Sequence, residues 1–280
     1  MSTPTLPPAA LPRPAPLPPP PPRRSAGAWL LVGTGAVVAA ALVGTGAHSL
    51  ASVAMRHSAP GSADLTGVRA VEVRLSECAG DVAVTGDAAP GAATLAWEDL
   101  WSFARPDHAQ SVQDGVLRVR VTCPRWTWGW TPSSDLTLSV PADARLTVDT
   151  GAGEIRARSV GGAAVLSSGT GDVIVEDASG DLTLSTGVGD VRASTSGPMV
   201  EAGSGTGDVT VTATAVPERV DASSGVGDVL VEVPDDPGGY ALQVETGLGS
   251  ARSSVSEQPA SPRSIMAMSG VGDVTVRPAG

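Results

Sequence analysis

The stretch Ser185–Val191 reads STGVGDV, and close copies of it return along the second half of the chain. Each copy holds a hydroxyl residue, a glycine, one variable residue and a second glycine. The hydroxyl residues are Thr150, Ser168, Thr186, Ser204, Ser224, Thr246 and Ser269. The glycine pairs are Gly151 and Gly153, Gly169 and Gly171, Gly187 and Gly189, Gly205 and Gly207, Gly225 and Gly227, Gly247 and Gly249, and Gly270 and Gly272. Seven matches at three columns indicate an internal repeat.

The spacing of these copies measures the repeat. The residue after the second glycine is Glu154, Asp172, Asp190, Asp208, Asp228, Ser250 or Asp273, which separates the copies by 18, 18, 18, 20, 22 and 23 residues. Apolar residues alternate with polar ones on both sides of each copy, as at Leu182 and Leu184 before one corner and at Val191 and Ala193 after it. This period of two predicts two short strands per repeat, each with one buried face.

We therefore predict an all-β fold, a two-faced β-solenoid of about seven coils of 18–23 residues over residues 142–280. A single coil cannot bury its inner face, whereas stacked coils share a continuous core. The core is expected to be narrow, because the chain has only one Phe and one Tyr. All added length falls at the corner opposite the glycines, a variable edge that tolerates insertions. Pro278 is expected to blunt the C-terminal end of the stack.

Two interpretations of the Gly-x-Gly-Asp corner stay open. In the structural interpretation, the glycines adopt positive φ, and the aspartate accepts hydrogen bonds from backbone N–H groups of a tight turn. The alternative is a calcium β-roll, whose repeats also carry Gly and Asp at their corners. Its candidate ligands are Asp172, Asp190, Asp208, Asp228 and Asp273, carboxylates that would lie about 4.8 Å apart and repel by about 1–3.5 kcal/mol. The sequence assigns no other metal and no cofactor.

An enzymatic role is disfavoured by the same column of carboxylates. Parallel β-helices host polysaccharide lyases and hydrolases, and carboxylates one or two coils apart reach the distances that glycosidases use. Equal, exposed carboxylates, however, offer no division between an acid and a base. No histidine follows His108, so the repeats hold no histidine-based site.

Residues 66–141 are predicted to form a Trp-rich β cap with the first coils. Five of the six tryptophans lie there, at Trp97, Trp101, Trp126, Trp128 and Trp130. The last three alternate in RWTWGW and would share one strand face, where they either cap the open core or stack on glycans or on a membrane interface. Cys78 and Cys123 are expected to pair as a disulfide in an oxidising compartment, with two buried free thiols as the alternative.

The N-terminal region predicts a membrane anchor. Residues 1–25 are a Pro-rich tail that cannot bury a core, and residues 26–47 are an uncharged stretch long enough for a transmembrane helix. Arg23 and Arg24 would keep the tail in the cytoplasm and place the repeats outside, beyond a linker at residues 48–65. A cleaved signal peptide is the alternative. The net charge of −11 makes nucleic acid an unsuitable partner.

Over residues 66–280 the chain resembles the bacterial β-strand-repeat proteins known as putative adhesins, of the actinobacterial type. The resemblance rests on Trp-Ser-Phe at Trp101, on Cys-Pro-Arg-Trp at Cys123, on LTLSVPADARLTVDT from Leu136, and on the repeated corner. It implies a cell-surface, adhesin-like role and supplies no catalytic residue. The pair Gly249 and Ser250 departs from the Gly-Asp pattern.

Together these features predict a non-enzymatic, single-pass membrane protein whose extracellular solenoid is an adhesin-like or scaffold binding module. Its ladder surface and variable edge would contact a cell-wall polymer, a glycan or an envelope protein. The alternative from another class is an envelope-stress sensor that signals through the Pro-rich tail. In that case, deletion of residues 2–22 would disable the protein.

Overall fold

The computed structural model describes residues 56–124 and 132–279, which form 21 strands and no helix. In chain order the strands are β1 (His57–Val68), β2 (Ala70–Ala79), β3 (Val82–Ala88), β4 (Gly91–Trp101), β5 (Asp107–Gln113), β6 (Val116–Thr122), β7 (Ser133–Pro141), β8 (Arg145–Ala152), β9 (Ile155–Arg158), β10 (Ala164–Thr170), β11 (Val173–Ala178), β12 (Leu182–Val188), β13 (Val191–Thr195), β14 (Met199–Thr206), β15 (Val209–Ala213), β16 (Arg219–Val226), β17 (Val229–Val233), β18 (Ala241–Leu248), β19 (Ala251–Ser253), β20 (Ser264–Val271) and β21 (Val274–Pro278). The predicted all-β class is confirmed.

The strands pair into two faces joined by the glycine corners. The first face has the order β5-β6-β2-β8-β10-β12-β14-β16-β20-β18, and the second has the order β1-β4-β7-β3-β9-β11-β13-β15-β17-β21-β19. All pairs within the stack of coils are parallel, and only β1, β4 and β5 add antiparallel strands at one end. The chain is therefore a parallel β-solenoid, as the repeat predicts.

The core lies between the two faces and follows the predicted alternation. Leu166 and Leu184 are paired in register on the first face, and Val173 and Val191 on the second. All four are at most 1% exposed. Burying such a side chain contributes about 1.5–3 kcal/mol, so a repeated inward Val, Leu or Ala is enough to stabilise each coil against its neighbours.

The order of the coils in the stack differs from their order along the chain. The coil β2–β3 lies between β6–β7 and β8–β9, and the coil β20–β21 lies between β16–β17 and β18–β19. The described residues form nine parallel coils. Seven of them begin at or after Arg145, the number predicted for residues 142–280, and the other two, β2–β3 and β6–β7, come from the segment predicted as a cap with the first coils. Strands of nearly equal pattern can exchange places when the loops between them are long enough, as at residues 254–263.

Two predictions about the chain ends need correction. Residues 57–65, expected in a linker, belong to β1, which pairs antiparallel with β4 and so extends the second face by one strand. Pro278 does not blunt the end of the stack, because β21 lies between β17 and β19 and Pro278 is in register with Val233. The end coil is β18–β19 instead.

The N-terminal predictions fall outside the described residues. The Pro-rich tail at residues 1–25 and the hydrophobic stretch at residues 26–47 both lie there. Within residues 56–124 and 132–279, no helix is long and apolar enough to span a bilayer.

The predicted disulfide is confirmed. Cys78, in β2, is bonded to Cys123, just after β6, with the two Cα atoms 5.0 Å apart. The two cysteines are 3% and 1% exposed. The bond ties two adjacent coils together and closes 45 residues of chain, which in the chain-entropy account contributes about 4 kcal/mol.

Candidate functional site on the first face

The glycine corner is shaped by backbone stacking. The second glycine of every copy has φ between 138° and 148°, a region that other residues rarely adopt. A Cβ added there would lie 1.9–2.3 Å from a carbonyl oxygen of the neighbouring coil. The first glycine does not adopt positive φ, contrary to the sequence interpretation. In six of the seven copies its added Cβ would lie 2.5–2.6 Å from the neighbouring coil's first glycine, so close approach of the coils excludes a side chain.

The corner aspartates form a one-directional hydrogen-bond ladder. The N–H of Asp190 donates to Asp172 Oδ1 at 2.8 Å, and the N–H of Asp208 donates to Asp190 Oδ1 at 2.9 Å. The ladder continues through Asp228 and Asp273, both at 2.8 Å, and ends where the N–H of Ser250 donates to Asp273 Oδ1. Each carboxylate therefore caps a backbone donor of the following coil.

A second ladder runs in the same direction. The hydroxyl of Thr186 donates to the carbonyl oxygen of Gly171 at 2.8 Å, and the hydroxyl of Ser204 donates to that of Gly189 at 2.8 Å. The same bond is formed by Ser168, Ser224, Thr246 and Ser269. Each of these hydroxyls thereby satisfies its own hydrogen-bond donor and a backbone carbonyl of the neighbouring coil.

These ladders bear on the calcium interpretation. One oxygen of each aspartate from Asp172 to Asp273 is engaged by a backbone N–H group. The Arg192 guanidinium also lies 2.6 Å from Asp190 and 3.6 Å from Asp172. Among the described residues, no group of three or more His, Cys, Asp or Glu side chains is arranged to hold a metal ion. The carboxylate column thus has a structural use that requires no cation.

A depression on the outer side of the first face is the candidate binding site. It consists of two adjoining hollows of about 290 and 370 Å³, which share Thr183, Glu201 and Asp221. Gly203 forms its floor, because the equivalent positions in the flanking strands carry the side chains of Ser185 and Ser223. The missing side chain at this one position opens a hollow in an otherwise regular sheet.

Charged groups lie along one side of the depression. Arg219 donates to Asp221 Oδ2 from Nε at 2.8 Å and from Nη2 at 2.7 Å. This hydrogen bond, with the charge of Asp221 and more distantly that of Glu201, raises the pKa of the Arg219 guanidinium above its usual value. The depression therefore presents a fixed donor beside carboxylate acceptors.

Methionines line the rest of the depression. Met266 and Met268 face outward from β20, because Ile265, Ala267 and Ser269 between and beside them are buried. Met199 lies at the start of β14 and is 44% exposed. These are all the methionines among the described residues, and their flexible thioethers suit contact with an apolar ligand surface.

The sequence matches the Toastrack DUF4097 family over residues 130–277. The chain belongs to the Toastrack DUF4097 family. The match covers β7 and the seven coils that follow it in the chain, and thus includes the depression; β2, β3 and β6 lie before it.

Several crystal structures are similar to this Toastrack chain. A putative cell adhesion protein from Clostridium sporogenes ATCC 15579 is 17% identical with a TM-score of 0.38, over 79% of this chain and 100% of that one. A putative adhesin from Bacteroides fragilis NCTC 9343 is 16% identical with a TM-score of 0.43, over 79% and 97%. A putative lipid binding protein from Parabacteroides distasonis ATCC 8503 is 9% identical with a TM-score of 0.30, over 79% and 97%. No curated protein matches the chain.

At the N-terminal end of the Toastrack stack, a polar cluster joins the two faces. His108 of β5 bonds through Nε2 to Asp99 Oδ1 of β4 at 2.7 Å, and Arg105 Nε donates to Asp99 Oδ2 at 3.3 Å. Asp99 is 0% exposed, and His108 stacks on Trp97 with ring centroids 5.1 Å apart. Trp97 packs against the core, as a cap residue should.

The structure places the predicted glycines and aspartates at the corner and the predicted disulfide near the N-terminal end of the stack. Trp101 lies at the N-terminal end, where the Arg105 guanidinium sits 5.2 Å from its ring. Trp126, Trp128 and Trp130, predicted as a binding surface, lie outside the described residues. Sequence reasoning missed the depression and the Asp99–His108 pair. The available signal for the depression was Gly203, a residue without a side chain at an outward position where both neighbouring strands carry serine.

Proposed function

We propose that this protein is a non-enzymatic, adhesin-like binding module of the cell envelope and that the depression around Gly203 binds a glycan chain of the cell wall. The single observation that carries the proposal is the depression itself, an elongated hollow on a rigid parallel sheet. It crosses β12, β14, β16 and β20, a span of about 14 Å at the usual strand spacing. That shape suits an extended polymer better than a compact small molecule.

The chemistry of the depression supports a saccharide ligand. Sugar hydroxyls require both acceptors and donors, and the site offers the carboxylate of Glu201, the hydroxyls of Thr183 and Ser223, and the guanidinium of Arg219. Methionine side chains can pack against the C–H faces of a sugar ring. The groups are held by strands that are paired on both sides, so little freedom is lost on binding.

A binding role is favoured over catalysis at this site. Asp221 is held in an ion pair with Arg219, and no histidine, cysteine or second arginine lines the two hollows. Neighbouring carboxylates in similar environments do not separate into an acid and a base.

The extracellular location and the anchor belong to the same proposal. A buried disulfide is typical of proteins that fold in an oxidising compartment. The hydrophobic stretch at residues 26–47, preceded by Arg23 and Arg24, has the length and flanking charge of a signal anchor. A single-pass anchor would hold the solenoid outside the membrane, where wall polymers are within reach.

The test is co-sedimentation of the full-length chain, in detergent micelles, with purified cell-wall sacculi. The variant Gly203→Leu fills the depression, and an added Cβ there would meet only Ser223, at 3.5 Å or more. Its matched control is Ser167→Leu, at the equivalent outward position two coils away. We expect wild type and the control to sediment with the sacculi, and Gly203→Leu to bind at least tenfold less.

Two outcomes would contradict the proposal. If Gly203→Leu and Ser167→Leu bind like wild type, the depression is not the site. If no form binds sacculi, the ligand is not a wall polymer. Deletion of residues 2–22 should leave an adhesin working, because its binding site lies in the solenoid, whereas it would disable a sensor that signals through the Pro-rich tail.

A further inference from the structure

The end of the stack formed by β18 and β19 is open beside the glycine corner. The chain after β19 covers only the opposite corner, where Glu257 bridges to Tyr240 and Val255 is buried. Each of these strands pairs only on its inner edge, with β20 and β21 respectively, among the residues that the structure describes. Inward positions that are buried elsewhere are partly exposed here: Leu242 and Val244 are half-buried, and Ala251 is exposed. With Arg252, Ser253 and Glu257 they line a hollow of about 310 Å³ at this end of the stack.

An exposed apolar ridge leads to the same end. Val226, Val271 and Leu248 occupy the variable position of three successive corners and are paired in register. They are 51%, 44% and 70% exposed. Leu248, in the end coil, is the most exposed large hydrophobic residue in the described part of the chain. Unpaired strand edges beside exposed apolar surface are a template for further pairing.

The opposite end of the stack is closed. There the core is covered by Leu65, Trp97 and Val112, which pack against it from antiparallel strands. Its edge strand β1 carries Pro60, which cannot donate a hydrogen bond to a further strand. The end coil also breaks the carboxylate ladder, because Ser250 offers no carboxylate to a following coil. Head-to-tail stacking of identical copies is therefore disfavoured.

We propose that the open end binds the open end of a second copy of this chain, about a two-fold axis parallel to the strands. This axis places β18 of one copy antiparallel to β19 of the other, on both faces at once. A single peptide strand could cover only one of the two edges. Another open solenoid end matches both edges at their natural separation, so the surface is complementary to itself.

Charge supports this symmetry. Glu245 lies five residues before Ser250 and Arg252 lies two residues after it, so the two exposed side chains lie on opposite faces, next to the same corner. The two-fold axis brings Glu245 of each copy opposite Arg252 of the other. Arg252 forms no ion pair within the described residues, whereas Arg277 of the adjacent strand is already paired with Glu232 across the coils.

The departures of the end coil fit the same arrangement. The corners of the two copies meet, so the exposed Leu248 side chains contact each other and leave water. An aspartate at position 250 would face its own symmetry mate at close range and repel it, and the chain has a serine there. The end of the solenoid is narrow, so we expect a weak dimer whose population rises with protein concentration.

Cysteine cross-linking of the full-length chain tests the contact. Both native cysteines are already paired, so a new cysteine reports its own neighbours. We expect Leu248→Cys to form a disulfide-linked dimer at least tenfold faster than Val188→Cys. Val188 occupies the same repeat position in a central coil and is 53% exposed, which makes it a matched control. Equal rates for the two variants would overturn the proposal.

Charge reversal tests the symmetry. Glu245→Arg and Arg252→Glu should each weaken self-association at least tenfold in sedimentation equilibrium of the full-length chain in detergent. Mixed together, they should restore it, because both contacts in the mixed dimer become Arg–Glu pairs. Arg145→Glu, with the same charge change in a distant coil, should have no effect. A mixture that stays as weak as its components would refute the proposed axis, and loss of glycan binding would leave this result unaffected.

Discussion

Alanine at the first glycine of two corner copies should have opposite effects on stability. Gly151 and Gly205 occupy the same position of the repeat and neither adopts positive φ. A Cβ added at Gly205 would lie 2.5 Å from the carbonyl oxygen of Gly187, whereas a Cβ added at Gly151 would meet no atom within 4 Å. The difference arises because the neighbouring coil at Gly151 is β2–β3, whose corner has a different shape.

The magnitude follows from the geometry. An ordinary Cβ contact begins near 3.4 Å, so Gly205→Ala must separate the two coils by about 0.9 Å at the corner. Overpacking of this kind costs about 1–3 kcal/mol. It also stretches the bond from the Asp208 N–H to Asp190, now 2.9 Å, which is worth about 1 kcal/mol. We expect a loss of about 3 kcal/mol, equivalent to a melting temperature roughly 6–12 °C lower.

Gly151→Ala should instead stabilise the protein by about 0.4–1 kcal/mol, because alanine restricts the unfolded chain without a clash in the folded one. The assay is thermal and urea unfolding of the full-length variants in detergent, followed by far-ultraviolet circular dichroism. The reasoning is refuted if both variants lose stability equally. That result would show that the first glycine is required for its own backbone conformation and not for the approach of the next coil.

Three further predictions concern single side chains. Asp208→Ala should lower the free energy of unfolding by about 1 kcal/mol, because the Asp228 N–H loses its acceptor. Asp208→Asn should lose less, because the asparagine keeps an oxygen at that position. Equal losses for the two variants in urea titration would contradict the ladder. Burial raises the pKa of Tyr240, whose hydroxyl donates to the Pro234 carbonyl oxygen, so the folded state keeps its proton longer than the unfolded chain. Stability from this group is complete below pH about 10 and falls as the pH rises further, and Tyr240→Phe should remove that fall in pH-dependent unfolding. Asp99→Ala should lower the free energy of unfolding by about 2–3 kcal/mol, because His108 loses the hydrogen bond that connects β5 to β4. For the same reason, amide hydrogen exchange in β5 should become faster, and an unchanged exchange rate would contradict this role of Asp99.

The solenoid itself was predictable because its determinants are local. Alternation as at Leu182 and Leu184 identifies the inward face of a strand, and a glycine required by close stacking recurs wherever the coils turn. Both the alternation and the glycine recur in each copy, so the fold can be predicted from seven copies together although each copy is imperfect. The cysteine pair was predictable for a different reason, since two cysteines in an oxidising compartment have one intramolecular partner each.

The order of the coils and the depression were not predictable in the same way. The alternation shows that a strand belongs to the stack but not which strand it pairs with. The strands β18 and β20 have nearly the same alternation, so the sequence does not show which of them pairs with β16. The depression depends on residues from four strands, so it exists only once their register is known. Of the residues that line the depression, Gly203 is the one that differs visibly from its equivalents in the neighbouring repeats, Ser185 and Ser223.

The exchange of the last two coils accounts for the one copy that departs from the Gly-Asp pattern. If the coils stacked in their order along the chain, the coil of Ser250 would precede the coil of Asp273. The Asp273 N–H would then have no carboxylate acceptor in the preceding coil. In the observed order that N–H donates to Asp228 at 2.8 Å, and Ser250 lies in the end coil. From Asp172 onward the ladder gives each following coil a carboxylate acceptor, and the copy without a carboxylate lies in the end coil, where no further coil needs one. A serine at position 250 therefore selects the end of the stack, and the long connection at residues 254–263 gives the chain the length to return inside it.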